Sequence, residues 1–319
     1  MNRKTSYYAG LDIHKKTISY CVKRPDGKIV DEGKFDATRT DLLAWVAGVK
    51  RPIRVGMEAT MFTSWVYDTL LAHGIDSRVG HPLKLKAITA GKRKCDKLDA
   101  RTLANLLRCD LFPECYMAPG NLRELRRVLR YRNAIVAMAT RMKNLSSSML
   151  MELGIADNKS KLHGKKYFPS LIETLTDIPD SVRELLLLNH ESLHVFEQRQ
   201  KWLLSQLQKH PDIMERVEVL MTIPGVGAVT ALTWALEIGE PGRFPNVKAA
   251  VSYCGLCSAQ IESAGISKRS PLSKQRNKHL QCVLVEAAKL APRWNPQLAA
   301  VYERERERGG NNNQATIAV

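Results

Sequence analysis

A chain of 319 residues is long enough for two or three domains, and a hydrophobic fraction of 44% is enough to bury a core in each. No apolar run approaches the ~20 residues of a membrane-spanning helix, and the first eight residues lack the apolar stretch and small-residue cleavage site of an export signal, so a cytoplasmic protein is expected. Forty-nine Lys+Arg against 32 Asp+Glu leave a net charge of +17, which calls for a polyanionic partner; nucleic acid is favoured over a membrane surface because no basic amphipathic stretch carries an aromatic face.

In chain order, Tyr7–Asp12, Ile18–Lys23 and Ile29–Phe35 are short β-prone runs, with Pro25-Asp26-Gly27 a turn between the second and third. Leu42–Val49 has helical spacing, Ile53–Met57 is a fourth strand, Trp65–Ala72 a helix and Ile75–Val79 a fifth strand. That order predicts a mixed α/β domain over residues 1–112. Leu122–Leu153 and Val182–Gln208 are long helical patterns separated by the polar segment Asp157–Lys166. They predict an antiparallel, coiled-coil-like region over 113–215, suited to dimerisation. Residues 216–319 are expected to be a mostly helical third domain, opening on helix, Pro224-Gly225-Val226-Gly227 turn and helix. Glycines permit such a turn, and the free N–H groups of the second helix can hold a phosphate, as in helix-hairpin-helix motifs. The last run, Gln314–Val319, is apolar and helix-capable after the Gly309–Asn313 break.

The basic residues are clustered. Between Lys84 and Arg108 there are eight, including Lys92, Arg93 and Lys94, and only two acids, Asp96 and Asp99. A second group includes Arg126 and Arg130, and a third is Lys268, Arg269, Lys274, Arg276 and Lys278. Three such clusters point to phosphate backbone. The cysteines number seven, an odd count without an export signal, so buried thiols are expected rather than disulfides. Cys254 and Cys257 form a C-x-x-C, but no second pair stands at zinc-finger spacing.

The acids form the sharper pattern. Asp12 ends the first strand and Glu58 the fourth, so adjacent strands would bring both carboxylates to one edge of the sheet. Asp96 and Asp99 are spaced i, i+3 and share one helix face. Mg²⁺ takes oxygen ligands, and two-metal phosphoryl transfer needs several carboxylates. His14 is read as an exposed loop histidine rather than a ligand. The chain has no G-x-x-x-x-G-K-[ST] loop, so ATP-driven chemistry of the P-loop type is not supported.

The segments G-L-D-I-H-K at Gly10–Lys15, G-M-E-A-T at Gly56–Thr60 and K-C-D-K-L-D-A-R at Lys94–Arg101 resemble the DEDD motifs of a bacterial insertion-sequence transposase family that includes the Piv-type DNA invertases. The resemblance continues through Ile223–Gly227, Ser252–Leu256, Glu262–Gly265 and Leu272–Asn277, covering nearly the whole chain in order. It departs at Arg276, where family members often carry Gly, and the family's sequence usually runs on past an A-T-I-A-V-like helix. The resemblance implies a ribonuclease-H-like N-terminal domain of the RuvC type, with Asp12, Glu58, Asp96 and Asp99 holding Mg²⁺, two ions being expected. It also implies a serine nucleophile at Ser263, in a segment that spacing alone would read as a turn. Further implications are DNA ends and a target as substrates, a structured guide RNA, and homodimers that assemble into tetramers. Two alternatives stay open: a RuvC-type junction nuclease that uses water, and a nucleic-acid-binding protein without chemistry.

Overall fold

A computed structural model of the chain describes residues 7–88, 96–156, 161–164, 166–263, 265–309 and 311–319, leaving out the side chains of 259–261 and 267–270. The chain divides into two compact units, Met1–Gly120 and Asn121–Val319.

In the first unit, β1 (Tyr7–Ile13), β2 (Thr17–Lys23) and β3 (Ile29–Asp36) form an antiparallel meander, followed by α1 (Arg39–Gly48), β4 (Ile53–Glu58), α2 (Thr63–Ala72) and β5 (Asp76–Gly80). The sheet order is β3-β2-β1-β4-β5, and β4 pairs parallel with both β1 and β5. Helices α3 (Pro82–Ile88) and α4 (Asp96–Arg108) complete the unit.

Alternation along the strands assigns the two faces. Ala9, Leu11 and Ile13 of β1, with Val55 and Met57 of β4, form one buried core with Leu42, Val46, Val66 and Leu70 of α1 and α2. Burying each large side chain of this set contributes roughly 1.5–3 kcal/mol. The opposite face carries Gly10 and Asp12 on β1, and on β4 it carries Gly56, the register partner of Gly10, and Glu58, one step past the last pair; there α4 packs. The approach depends on Gly10: a Cβ at that position would lie 2.1 Å from the Ala100 carbonyl oxygen and 2.6 Å from the Ala104 nitrogen. At Gly56 a Cβ would strike Leu107 at 2.6 Å.

Polar ties hold α4 in place. The Glu32 carboxylate accepts two hydrogen bonds from Arg101, both 2.8 Å, and pairs with Lys97 at 2.7 Å. The nearly buried Lys23 ammonium donates to Asn105 Oδ1 at 2.8 Å.

The second unit is mainly helical. It contains α5 (Gly120–Glu152), α6 (Tyr167–Thr174), α7 (Asp180–Leu207), α8 (Pro211–Met221), α9 (Ala228–Ile238) and α10 (Val247–Cys254). A hairpin of β6 (Ser258–Ser263) and β7 (Ile266–Leu272) follows, then α11 (Lys278–Leu290), α12 (Pro296–Gly309) and α13 (Asn312–Ala318). Helices α5 and α7 match the two long patterns in the sequence, and α8 and α9 flank the Pro224–Gly227 turn as the reading of helix, turn and helix expected. The hairpin was not anticipated. Where the sequence suggested separate domains over 113–215 and 216–319, α5 is joined to α9 by buried polar bonds within one unit. Arg126 donates to the carbonyls of Leu236 (2.6 Å) and Glu237 (3.0 Å), and Arg130 grips the Glu237 carboxylate at 2.7 and 2.8 Å. Among the described residues, no helix is long and apolar enough to cross a membrane.

Candidate functional site

The penultimate position of β1 points Asp12 toward α4, because period-two alternation puts it on the face of Gly10. Helix α4 begins at Asp96 and carries Asp96 and Asp99 in its first turn. The contact made possible by Gly10 therefore sets the first turn of α4 beside the end of β1. His14, two residues past Asp12 and on the same alternation, reaches into the space between them. Its Nε2 lies 3.0 Å from Asp12 Oδ2 and 3.5 Å from Asp96 Oδ1. Lys34 Nζ stands 3.9 Å from Asp96 Oδ2.

The electrostatics follow from the crowding. The Asp12 side chain is 17% exposed, and burial pushes its carboxyl above the ordinary carboxylate value. His14 counteracts this by charge and hydrogen bond, while Asp99 and Asp96 add to the rise. A divalent cation would relieve the repulsion. One ligand atom each from Asp12, His14 and Asp96 lie within 4.8 Å of one another. An octahedral ion with bonds of ~2.1 Å sets adjacent ligands ~3.0 Å apart and opposite ones ~4.2 Å apart, so the donors present fit such an ion.

Glu58 ends β4, one register step beyond the Leu11–Met57 pair, and is exposed on the face that Asp12 occupies. Its strand end is fixed by Thr63, whose hydroxyl donates to the Glu58 carbonyl at 2.6 Å and accepts from the Thr60 N–H at 2.8 Å. Of the four expected acids, then, Asp12 and Asp96 come within 4.8 Å of each other with His14 between them, and Asp99 lies close enough to affect Asp12. Glu58 stands at the neighbouring strand end, outside the tight three-residue group.

Ser263 belongs to the second unit. It is the last residue of β6, paired with Ile266 across the hairpin turn, and is exposed, as is Glu262. Below the hairpin, Ser273 N–H donates to the Cys257 carbonyl (3.1 Å) and Asn277 N–H to the Tyr253 carbonyl (2.9 Å). Asn277 caps α11 and donates from Nδ2 to Glu237 at 2.8 Å. Glu237 has no exposed side-chain surface. Burial alone would raise its pKa, but hydrogen bonds from Arg130 and Asn277, with the charges of Arg130 and Arg126, outweigh that and hold it below the ordinary value. This buried acid was missed in the sequence because its arginine partners lie more than a hundred positions away.

The expected phosphate-binding residues separate into groups. Lys92, Arg93 and Lys94 lie outside the described residues. Arg126 and Arg130 do not present the simple phosphate-tracking face suggested by their cluster, because their guanidinium groups are engaged with α9. Gly225, at φ +89°, makes the turn that only glycine adopts without strain, and Gly227 is the N-cap of α9. Both line a cavity of about 470 Å³ with Thr230, Lys289 and Arg293. Lys268 and Arg269 lie on β7, their side chains outside those described, while Lys274 and Arg276 are exposed beside the hairpin base. Arg276 packs along Gly255, where a Cβ would meet its side chain at 2.5 Å, and donates to the Ser273 carbonyl at 2.9 Å. Cys254 is buried, its thiol pushed up to about 11 by desolvation with Arg243 counteracting.

Residues 9–155 match a transposase family named for the DEDD motif and the insertion sequence IS110, and residues 217–303 match the transposase IS116/IS110/IS902 family. The chain is 24% identical over 225 residues to a probable family 20 transposase of Pseudomonas aeruginosa, a match covering 67% of this chain and 66% of that protein. It is 23% identical over 288 residues to the transposase for insertion sequence element IS1111A of Coxiella burnetii, covering 88% of this chain and 76% of that one. A pilin gene-inverting protein of Moraxella bovis is 28% identical over 111 residues, 34% of each chain.

Proposed function

From the chain's membership of the IS110-type DEDD transposase family, we propose that it cuts and rejoins DNA at the ends of an insertion element, with a divalent-metal site in the first unit and Ser263 as nucleophile. The observation that carries this reading is the meeting of Asp12 and Asp96 around one point, with ligand atoms at metal spacing. The sheet order β3-β2-β1-β4-β5 and the position of the acids on it support a ribonuclease-H-like, RuvC-type domain. Asp12, Glu58, Asp96 and Asp99 are the residues to hold Mg²⁺. When bound, the metal supplies Lewis-acid stabilisation of charge at the attacked phosphate.

The exposed hairpin position of Ser263 suits attack on a large substrate. Its Oγ would bond to a backbone phosphorus, lose its proton to a base, and displace a DNA hydroxyl, leaving a phosphodiester between protein and strand. Attack by a hydroxyl of a second strand on that link rejoins DNA and frees the serine. Conservation of the phosphodiester bond fits recombination, and the name of the pilin gene-inverting relative points the same way. Lys268 and Arg269 on β7 of this hairpin, with Lys274 and Arg276 just after it, are assigned to the phosphate backbone. Lys92, Arg93, Lys94 and the Gly225–Gly227 turn are assigned to the same role. A structured guide RNA, and dimers assembling into tetramers on DNA in the cytoplasm, complete the proposal.

The test is covalent trapping. Protein, Mg²⁺, element-end DNA and the element's structured RNA are mixed, denatured and run on a gel beside Ser263→Ala and Asp12→Ala. A DNA-linked protein band lost in both variants is expected. Cleavage that requires Asp12 but survives Ser263→Ala without an adduct would replace this reading with a water-using RuvC-type nuclease. Binding without any Asp12-dependent reaction, tested with DNA and RNA together, would favour a non-catalytic nucleic-acid-binding protein.

A further inference from the structure

His14 lies beside the acids but outside the DEDD set, and three observations concern it. Its backbone is pinned, since the His14 N–H donates to the Thr17 carbonyl at 2.9 Å in the turn between β1 and β2. Its side chain, 53% exposed and free to turn into solvent, instead directs Nε2 at two carboxylates on different elements, 3.0 Å from Asp12 and 3.5 Å from Asp96. The Lys34 ammonium approaches the other Asp96 oxygen, Oδ2, which leaves Oδ1 on the His14 side.

The two spacings are close to those of adjacent ligands on one ion, ~3.0 Å for bonds of ~2.1 Å. Two carboxylate oxygens and an imidazole nitrogen form a softer donor set than oxygen alone. Mg²⁺ prefers oxygen and water, whereas first-row transition ions accept imidazole readily. We propose that His14 Nε2 is a direct ligand of the ion held by Asp12 and Asp96, and that it shifts the metal preference of this chain from Mg²⁺ toward Mn²⁺ and Co²⁺. The proposal rests on the metal-site reading above and adds a donor to it. Hydrogen bonding alone is the competing state: Nε2 would then carry a proton toward Asp12, and the ring would leave when the ion entered.

The two states differ in whether nitrogen is bonded to the metal. The full chain is loaded with Mn²⁺ alone, without nucleic acid, and examined by pulsed electron paramagnetic resonance for the ¹⁴N coupling of a ligated imidazole. Titration in parallel gives Mn²⁺ and Mg²⁺ affinities. Wild type is expected to show the coupling, and His14→Ala and His14→Gln to lose it. Mn²⁺ binding should weaken about tenfold or more in both variants, with Mg²⁺ binding changed much less. Using two variants keeps the test decisive if one folds poorly. Mn²⁺ bound in an Asp12-dependent way without nitrogen coupling would overturn the proposal and leave the carboxylate site standing. Coupling that survives both His14 substitutions would overturn it by assigning the nitrogen to another residue. Mn²⁺ uptake that ignores Asp12→Asn would overturn the site itself, and the proposal with it.

Discussion

Gly10→Ala tests the link between packing and chemistry, because one methyl group should disturb both. The added carbon would lie 2.1 Å from the Ala100 carbonyl oxygen and 2.6 Å from the Ala104 nitrogen, while ordinary contact begins near 3.4 Å. Both obstacles are helix backbone, so no side-chain rotation relieves the clash; α4 must lift by about 1 Å to restore normal contact. Overpacking of this kind costs about 1–3 kcal/mol, equivalent to a fall of roughly 4–12 °C in the melting temperature of the first unit. The larger consequence falls on the site. Ala100 is one turn from Asp96, and a ~1 Å misplacement of a reacting group can reduce rate about a hundredfold. Thermal melting by circular dichroism and single-turnover formation of the protein–DNA adduct read the two effects separately. Gly48→Ala is the control, since a Cβ there meets nothing within 4 Å. If Gly10→Ala melts like wild type and reacts within about twofold of it, the claim that this close approach positions Asp96 is wrong.

Other perturbations follow from the same contacts. Glu237→Ala strips the partner from Arg130 and Arg126 and should destabilise the second unit in urea by roughly 2–4 kcal/mol. That is below the ~3–5 of a fully buried pair because Arg130 is 47% exposed and can rehydrate. The Glu237 pKa is depressed on folding, so its contribution is complete above the unfolded carboxylate value of 4.5 and is lost as pH falls through the lower folded value. Glu237→Gln should flatten that acid dependence, and an unchanged slope would show that the tie contributes nothing. Glu32 titrates at about 2, because hydrogen bonds from Arg101 and Lys97 outweigh desolvation. Its grip on α4 should therefore hold above pH 4.5 and fade toward pH 2, with Glu32→Gln removing this part of the acid transition measured by circular dichroism. At neutral pH the same variant should raise the Mg²⁺ concentration needed for half-maximal adduct formation by about tenfold. Lys289→Ala and Arg293→Ala, at the cavity beside the Gly225–Gly227 turn, should each lower the salt slope of DNA binding by about 1. An unchanged slope would remove that cavity from the nucleic-acid surface.

Local pattern accounts for what could be read before the structure. Five short β-prone runs bounded by turn residues match the strands of the first sheet within one residue at every end, and the two breaker-poor stretches match α5 and α7. Asp12 and Glu58 were legible as strand-end acids for the same reason: strand alternation and parallel pairing are local rules. Long-range pairing was not legible. Arg126 and Arg130 look like phosphate ligands in a run of arginines, and nothing nearby shows that Glu237 is buried against them 107 residues away from Arg130. The β6–β7 hairpin escaped because Ser258–Leu272 mixes polar, basic and proline positions without the clean alternation of a half-buried strand. His14 is intermediate between these cases. The i, i+2 relation to Asp12 was present in the sequence and placed both side chains on one face. The approach of Asp96 supplied the second carboxylate, and it depends on α4 settling over Gly10, a contact between residues some ninety positions apart. A residue can therefore be readable as part of a strand end while its role depends on what the tertiary fold brings opposite it.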